Sequence, residues 1–225
     1  QIKRAREAAI AELKPSRKDL EHGLALHAGS LVIESYGFSP RSLIDGVALR
    51  RAIEAGASGL EVEDLQTEML LARVARDSSQ LAEYLEAWAA SGVTCVFQNA
   101  GEEGNSPLRL LKRLAYFTYL TDRLRGRVSR AAFPDDIEAA RRAGQRCLYM
   151  SGNGVPLAQE WNSVEGELEW IGTFFQLGIR MMHLTYNRRN VLGDGCAETA
   201  NGGLSDLGRA AIAEMNRRGV IVDVA

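Results

Sequence analysis

Five short runs of apolar and β-branched residues recur along the chain: Leu31-Val32-Ile33-Glu34-Ser35, Val93-Thr94-Cys95-Val96-Phe97, Cys147-Leu148-Tyr149-Met150, the stretch 180–184, and Val220-Ile221-Val222-Asp223-Val224. Such runs fit strands of a sheet covered on both faces. Between them apolar residues fall at helical spacing. Two of the helices are clearly punctuated: 163–177 opens on Ser163 and is closed by Gly178, and 205–218 opens on Ser205 and is closed by Gly219, a capping hydroxyl at one end and a glycine at the other. In the second, Leu207, Ala211 and Met215 share one face. Ahead of the first run, 2–13 and 17–27 read as charged amphipathic helices separated by Pro15.

Strands alternating with helices over about 200 residues predict an α/β fold, either a parallel β/α barrel of the TIM type or a doubly wound sheet. No Gly-x-Gly-x-x-Gly follows the first run and no Gly-Lys-Ser/Thr loop occurs, so the doubly wound nucleotide fold lacks its phosphate-binding signature and the barrel is preferred. About five strand–helix units are present, and a closed barrel needs eight. The expected organisation is a flanking helical segment at 1–28 and a partial barrel domain at 29–225, within a longer protein.

Composition narrows the partners more than the fold. Of 225 residues, 27 are Lys or Arg and 29 are Asp or Glu, a formal charge of −2 that predicts neither a nucleic-acid footprint nor attraction to an anionic membrane. No stretch approaches the roughly 20 apolar residues of a membrane span. Cys95, Cys147 and Cys196 are few, odd in number and widely spaced, which suits a reducing compartment rather than a disulfide framework, with Cys95 and Cys147 read as inert strand thiols. A cytoplasmic location is the expectation, with a removed leader left open because the first residue is Gln1. A homo-oligomer is also left open.

In a parallel barrel the chemistry sits at the carboxyl ends of the strands and in the loops that follow. The segment 185–204 is the richest of these, with Tyr186, Asn187, Arg188, Asp194 and Cys196 among several glycines. Long connections of this kind are usually functional.

A resemblance becomes specific in the last third of the chain. The run Phe175-Gln176-Leu177-Gly178-Ile179-Arg180, then Leu184-Thr185, then Gly203-Leu204-Ser205-Asp206-Leu207-Gly208, then Glu214-Met215-Asn216-Arg217-Arg218-Gly219-Val220-Ile221-Val222-Asp223-Val224-Ala225, resembles the membrane (renal) dipeptidase family, peptidase family M19. The match runs over 31–225, strong after Cys147 and faint before it. It implies a metallo-dependent hydrolase barrel in which two zinc ions activate water to cleave a dipeptide. Position by position, the ligands it implies are replaced. Where the family has His-x-Asp after the first strand, this chain has Tyr36-Gly37-Phe38; Asn153 takes the place of the bridging Glu; Tyr186 stands where a His polarises the substrate carbonyl; and the next family His would follow Ala225. Glu34, at the end of the first strand, is a candidate substitute oxygen ligand, or an acidic strand-end residue paired with a nearby Arg.

Two functions follow as expectations. One is a dipeptidase-like hydrolase of a dipeptide or related small amide, zinc-dependent if the metal site survives. The other is a metal-free barrel that binds a small ligand or serves as a scaffold. In either, Tyr36, Asn153, Tyr186, Asn187, Arg188 and Asp194 are the candidate pocket residues. Elsewhere, His183 reads as a hydrogen-bonded core residue, Trp161 as helix-to-sheet packing, and Arg109, Lys112 and Arg113 as a solvated helix face.

Overall fold

The computed structural model describes residues 1–101 and 104–224. Ala225, the last residue of the dipeptidase-like motif, lies outside the described residues. The described strands are β1 (Ile33–Gly37), β2 (Cys95–Asn99), β3 (Val128–Ala131), β4 (Arg146–Gly152), β5 (Met181–His183) and β6 (Ile221–Asp223). All pair in parallel, in the order β1-β2-β4-β5-β6. The helices are α1 (Ile2–Leu13), α2 (Arg17–Gly29), α3 (Gly46–Glu54), α4 (Gly59–Ala72), α5 (Ser78–Ser91), α6 (Pro107–Arg123), α7 (Pro134–Arg142), α8 (Val164–Gln176) and α9 (Asp206–Arg218). This is an open, partial β/α barrel.

β3 is a strand beyond the five expected. Its sequence Val-Ser-Arg-Ala carries no apolar run. It pairs only with the first half of β4, from Val128↔Arg146 to Ala131↔Tyr149, and β5 pairs with the second half through Ser151↔Met181 and Gly152↔Met182. The seven-residue β4 is long enough to serve both. β1 also departs from expectation. It starts at Ile33 rather than Leu31, and its first three residues are exposed, because it is an edge strand that pairs only with β2.

Alternation along the strands sorts side chains to two faces. Val96, Leu148, Met150 and Met182 point into the main core, against Tyr84 and Trp88 of α5, Leu114, Phe117 and Leu120 of α6, Ile171 and Phe174 of α8, and Ala211 and Met215 of α9. Cys95, Phe97, Cys147 and Tyr149 face the other way and cluster with Ile137 and Ala140 of α7. The hydrogen bond with Cys147, and after it burial, push the Cys95 thiol far up, so it stays protonated. The helix caps follow the chemistry read from sequence: Ser163 accepts from Gly166 N–H, Ser205 from Gly208 N–H, and Gly219 closes α9 at φ 78°.

The Arg109, Lys112 and Arg113 face of α6 is not simply solvated. Arg109 and Arg113 reach Glu63 of α4 at 3.1 and 3.3 Å and Lys112 binds Asp64, so the row clamps α6 to α4. α1 and α2 contribute no buried residue. Arg6 donates to the Ala90 carbonyl at 3.0 Å, and Arg141 to that of Ala28. No described helix is long and apolar enough to cross a membrane.

Candidate functional site at the strand ends

The parity that places Cys95 and Phe97 on the inner face carries Asn99 there too, at the end of β2, and by the same alternation His183 ends β5 and Asp223 ends β6 on that side, in register with each other. Tyr36, near the end of β1, and Asn153, just past β4, complete a ring of polar side chains. The Asn99 Nδ2 donates to the Tyr36 hydroxyl at 3.2 Å, and the Tyr36 O–H donates to Asn153 Oδ1 at 3.1 Å. His183 Nδ1 lies 2.7 Å from the same Asn153 oxygen. The His183 ring meets Tyr36 edge-on at 5.0 Å between centroids and lies 5.9 Å from that of Tyr186.

The backbone fixes Asn153 tightly. A Cβ at Gly101 would fall 2.4 Å from the Asn153 nitrogen, and one at Gly154 would fall 1.9 Å from the Gly104 carbonyl. The connections after β2 and β4 therefore touch backbone to backbone, which only glycine permits. Asn99 Oδ1 accepts from Gly101 N–H at 2.9 Å, and buried Gln98 accepts from Ser39 N–H at 2.7 Å, tying the chain after β1 to β2.

His183 is 1% exposed on its side chain, and Asp223 Oδ2 stands 2.9 Å from its Nε2. Nε2 nonetheless makes no well-aligned hydrogen bond, so the carboxylate attracts without lying along the ring N–H. Burial lowers the His183 pKa, opposed by the nearby Asp223 charge. Two proton arrangements suit these heavy atoms: an imidazolium donating from both nitrogens with Asn153 Oδ1 accepting from both His183 and Tyr36, or a neutral ring with Nε2–H toward Asp223 and the Asn153 amide turned so that its NH2 donates to His183 Nδ1 and to the Tyr36 hydroxyl oxygen. Desolvation favours the neutral form. Tyr36 is likewise held as a neutral phenol, its pKa raised by burial and by Tyr186 and Asp223.

A stability consequence follows. With its folded pKa below the unfolded value of about 6.5, His183 adds stability that is complete above that pH and is lost as pH falls and the unfolded chain takes up the proton. Melting temperatures of the full-length protein at pH 7.5 and 5.5 should fall more steeply for wild type than for His183→Gln; equal slopes would contradict this.

Of the sequence-derived candidates, Tyr36 and Asn153 are bonded directly and Tyr186 borders the same ring. Asn187 and Arg188 lie on the exposed loop that follows β5, where Asn187 Oδ1 accepts from the Cys196 thiol at 3.7 Å. Asp194 is engaged within that loop by Arg189 and by Gly202 N–H, and the Arg189 contact, the larger cause, lowers its pKa. Glu34 is exposed and accepts from its neighbour Tyr36 N–H at 3.5 Å, on its own strand. Asn99, His183 and Asp223 were not singled out as site residues. The available signal was position: each is a polar residue at the carboxyl end of an apolar strand.

The donor set does not fit the zinc pair that the resemblance implies. At the implied ligand positions stand a phenol, a phenylalanine and an amide, and the first and third already satisfy each other. Phe38 lies under the Arg41 guanidinium, 3.9 Å from its ring centroid. Among the described residues no three His, Cys, Asp or Glu side chains gather as a metal site would require.

Beside this ring a cleft of about 400 Å³ runs between the connections after β2 and β4, with Asn153 common to both. Asn105, Leu157 and Trp161 line it. Trp161 is 57% exposed and does not pack under α8; Gln159 and Trp161 both adopt left-handed backbone, φ 62° and 58°. The turn is held by Glu167 of α8, whose buried carboxylate accepts from the N–H groups of Gln159, Glu160 and Trp161 at 2.6, 2.8 and 2.5 Å. Burial raises the Glu167 pKa, the three donors outweigh it, and the net direction is down.

A parallel β/α half-barrel with its polar cluster at the strand ends defines the class as a β/α barrel whose working face lies at the carboxyl ends of its strands. The family model for membrane dipeptidase (peptidase family M19) matches residues 42–225, and the chain belongs to that family. Among curated proteins, dipeptidase aclJ of Aspergillus oryzae is 38% identical over 66 residues, 28% of this chain and 16% of that protein. Among solved structures, the probable dipeptidase PvdM from Pseudomonas aeruginosa superposes with a TM-score of 0.61 at 18% identity, covering 93% of this chain and 50% of that one. A metallopeptidase from Rhodobacter sphaeroides, liganded with a phosphinate mimic of the dipeptide L-Ala-D-Ala, gives 0.51 at 14% identity over 86% of this chain and 58% of its own. The chain thus spans about half the length of these structural relatives.

Proposed function

We propose that this chain supplies the ligand-binding mouth of a dipeptidase-family barrel that holds a dipeptide or similar small amide through neutral hydrogen-bonding groups, without a zinc pair. The observation that carries this reading is the Tyr36–Asn153–His183 cluster. It occupies the strand ends where the family resemblance calls for charged ligands, and it is knit together by a phenol, an amide and an imidazole held neutral by burial. Such groups offer both donors and acceptors to a peptide unit, which has one of each. The family membership supports a dipeptide-like ligand, as does the dipeptide mimic bound by the Rhodobacter sphaeroides relative.

Hydrolysis is the second reading, favoured by the membership of the chain in a dipeptidase family. The test is calorimetric titration of the full-length protein with glycylglycine and N-acetylglycinamide, with and without chelator, alongside an assay for free glycine. Binding unaffected by chelator, with no glycine released, is expected. Binding or turnover abolished by chelator would overturn the metal-free reading.

A further inference from the structure

Trp161 and its turn invest more structure in the cleft than a solvent-facing connection needs. Two non-glycine residues in left-handed backbone, separated by one position, are strained and persist only where the surroundings impose them. Here the imposition is visible: the buried Glu167 carboxylate collects three successive N–H groups, a nest normally suited to an anion and here filled from within. The result is a large aromatic ring held out in the cleft, 57% exposed, where neighbouring Leu157 is fully buried. At its inner end the cleft reaches Asn153, the residue that joins Tyr36 to His183.

We propose that this cleft is a side-chain subsite, which takes a bulky apolar or aromatic group of a ligand whose amide is held at the strand ends, with Trp161 as its wall and Glu167 as the positioning residue that holds that wall in place. The inference rests on the mouth at Asn153 being a ligand site. It adds the ligand class: an amide bearing a large apolar side chain rather than a glycine-like one. About 400 Å³ accommodates a phenylalanine or leucine side chain together with part of its backbone. An aromatic group against Trp161 gains stacking as well as burial.

The test is calorimetric titration of the full-length protein with N-acetylphenylalaninamide and N-acetylglycinamide. Wild type should bind the phenylalanine compound roughly tenfold more tightly, the order expected for one aromatic contact plus burial. Trp161→Ala should erase most of that ratio by weakening the phenylalanine compound. Glu167→Gln, which touches no ligand, should reduce the ratio in the same direction by loosening the turn. If both compounds bind and Trp161→Ala leaves their ratio unchanged, the subsite is overturned while the mouth reading stands. If neither compound binds, both fail.

Discussion

Asn153→Leu is expected to cost the full-length protein about 2–3 kcal/mol and to abolish binding of small amides. The leucine is close to isosteric but accepts nothing, so the Tyr36 hydroxyl and His183 Nδ1 lose their common partner. Tyr36 is only half buried and can turn to water; His183 is fully buried, and a buried polar group left unpaired costs roughly 1–3 kcal/mol. At roughly 2–4 °C per kcal/mol for a domain of this size, the melting temperature should drop by about 5–10 °C. Asn153→Asp is the informative companion. It keeps an acceptor, so the fold should be better preserved, but it sets a second carboxylate beside the imidazole and should raise the His183 pKa. That shift is readable from the imidazole resonances across pH. Equal stability of Asn153→Leu and wild type would mean that the hydrogen bonds of the ring do not contribute in solution.

Phe117→Ala is expected to have the largest effect on folding, about 3–5 kcal/mol, which consumes much of the 5–15 kcal/mol that ordinary domains possess. Phe117 is 0% exposed at the centre of α6, between Leu114 and Leu120, where α6 lies on the sheet. Removing the ring leaves a cavity that close-packed neighbours fill only in part. On the same helix Leu111 is 43% exposed, and Leu111→Ala should change stability by about 0.5 kcal/mol or less. Chemical denaturation of the two variants separates them. A Phe117→Ala loss as small as that of Leu111→Ala would mean that α6 does not pack as described.

The parts of the fold that could be read from the residues are those where one signal dominates. β4, α8, β5 and α9 follow one another as apolar run, capped helix, apolar run, capped helix, and Gly178 and Gly219 mark the turns. β3 could not be read that way. Val128-Ser129-Arg130-Ala131 has two polar residues in its middle and buries its two ends in different clusters, Val128 in the main core and Ala131 beside Cys95 and Tyr149, and what makes it a strand is its pairing with Arg146 to Tyr149 across α7. β1 failed in the opposite sense: a continuous apolar run suggested burial on both faces, but an edge position left its first half exposed.

For the site, Tyr36 and Asn153 could be placed from the family resemblance, whose ligand positions they fill. His183 was legible as a hydrogen-bonded strand residue, but its partners were not, since the contact to Asp223 depends on the register of β5 against β6. Trp161 misled because an aromatic two residues before a helix cap ordinarily packs beneath that helix. The left-handed backbone at Gln159 and Trp161, imposed by Glu167, turns it outward instead, and no local sequence rule carries that information.

The central claim, that a neutral hydrogen-bonded ring stands where the resemblance implies a zinc pair, is tested most directly by counting metal in the full-length protein. Inductively coupled plasma mass spectrometry after expression in zinc-supplemented medium should find well under one zinc per chain, because a phenol, a phenylalanine and an amide make a poor set of zinc ligands. About two zinc ions per chain, lost on mutation of His183 or Asp223, would contradict it and return this barrel mouth to metal-dependent hydrolysis.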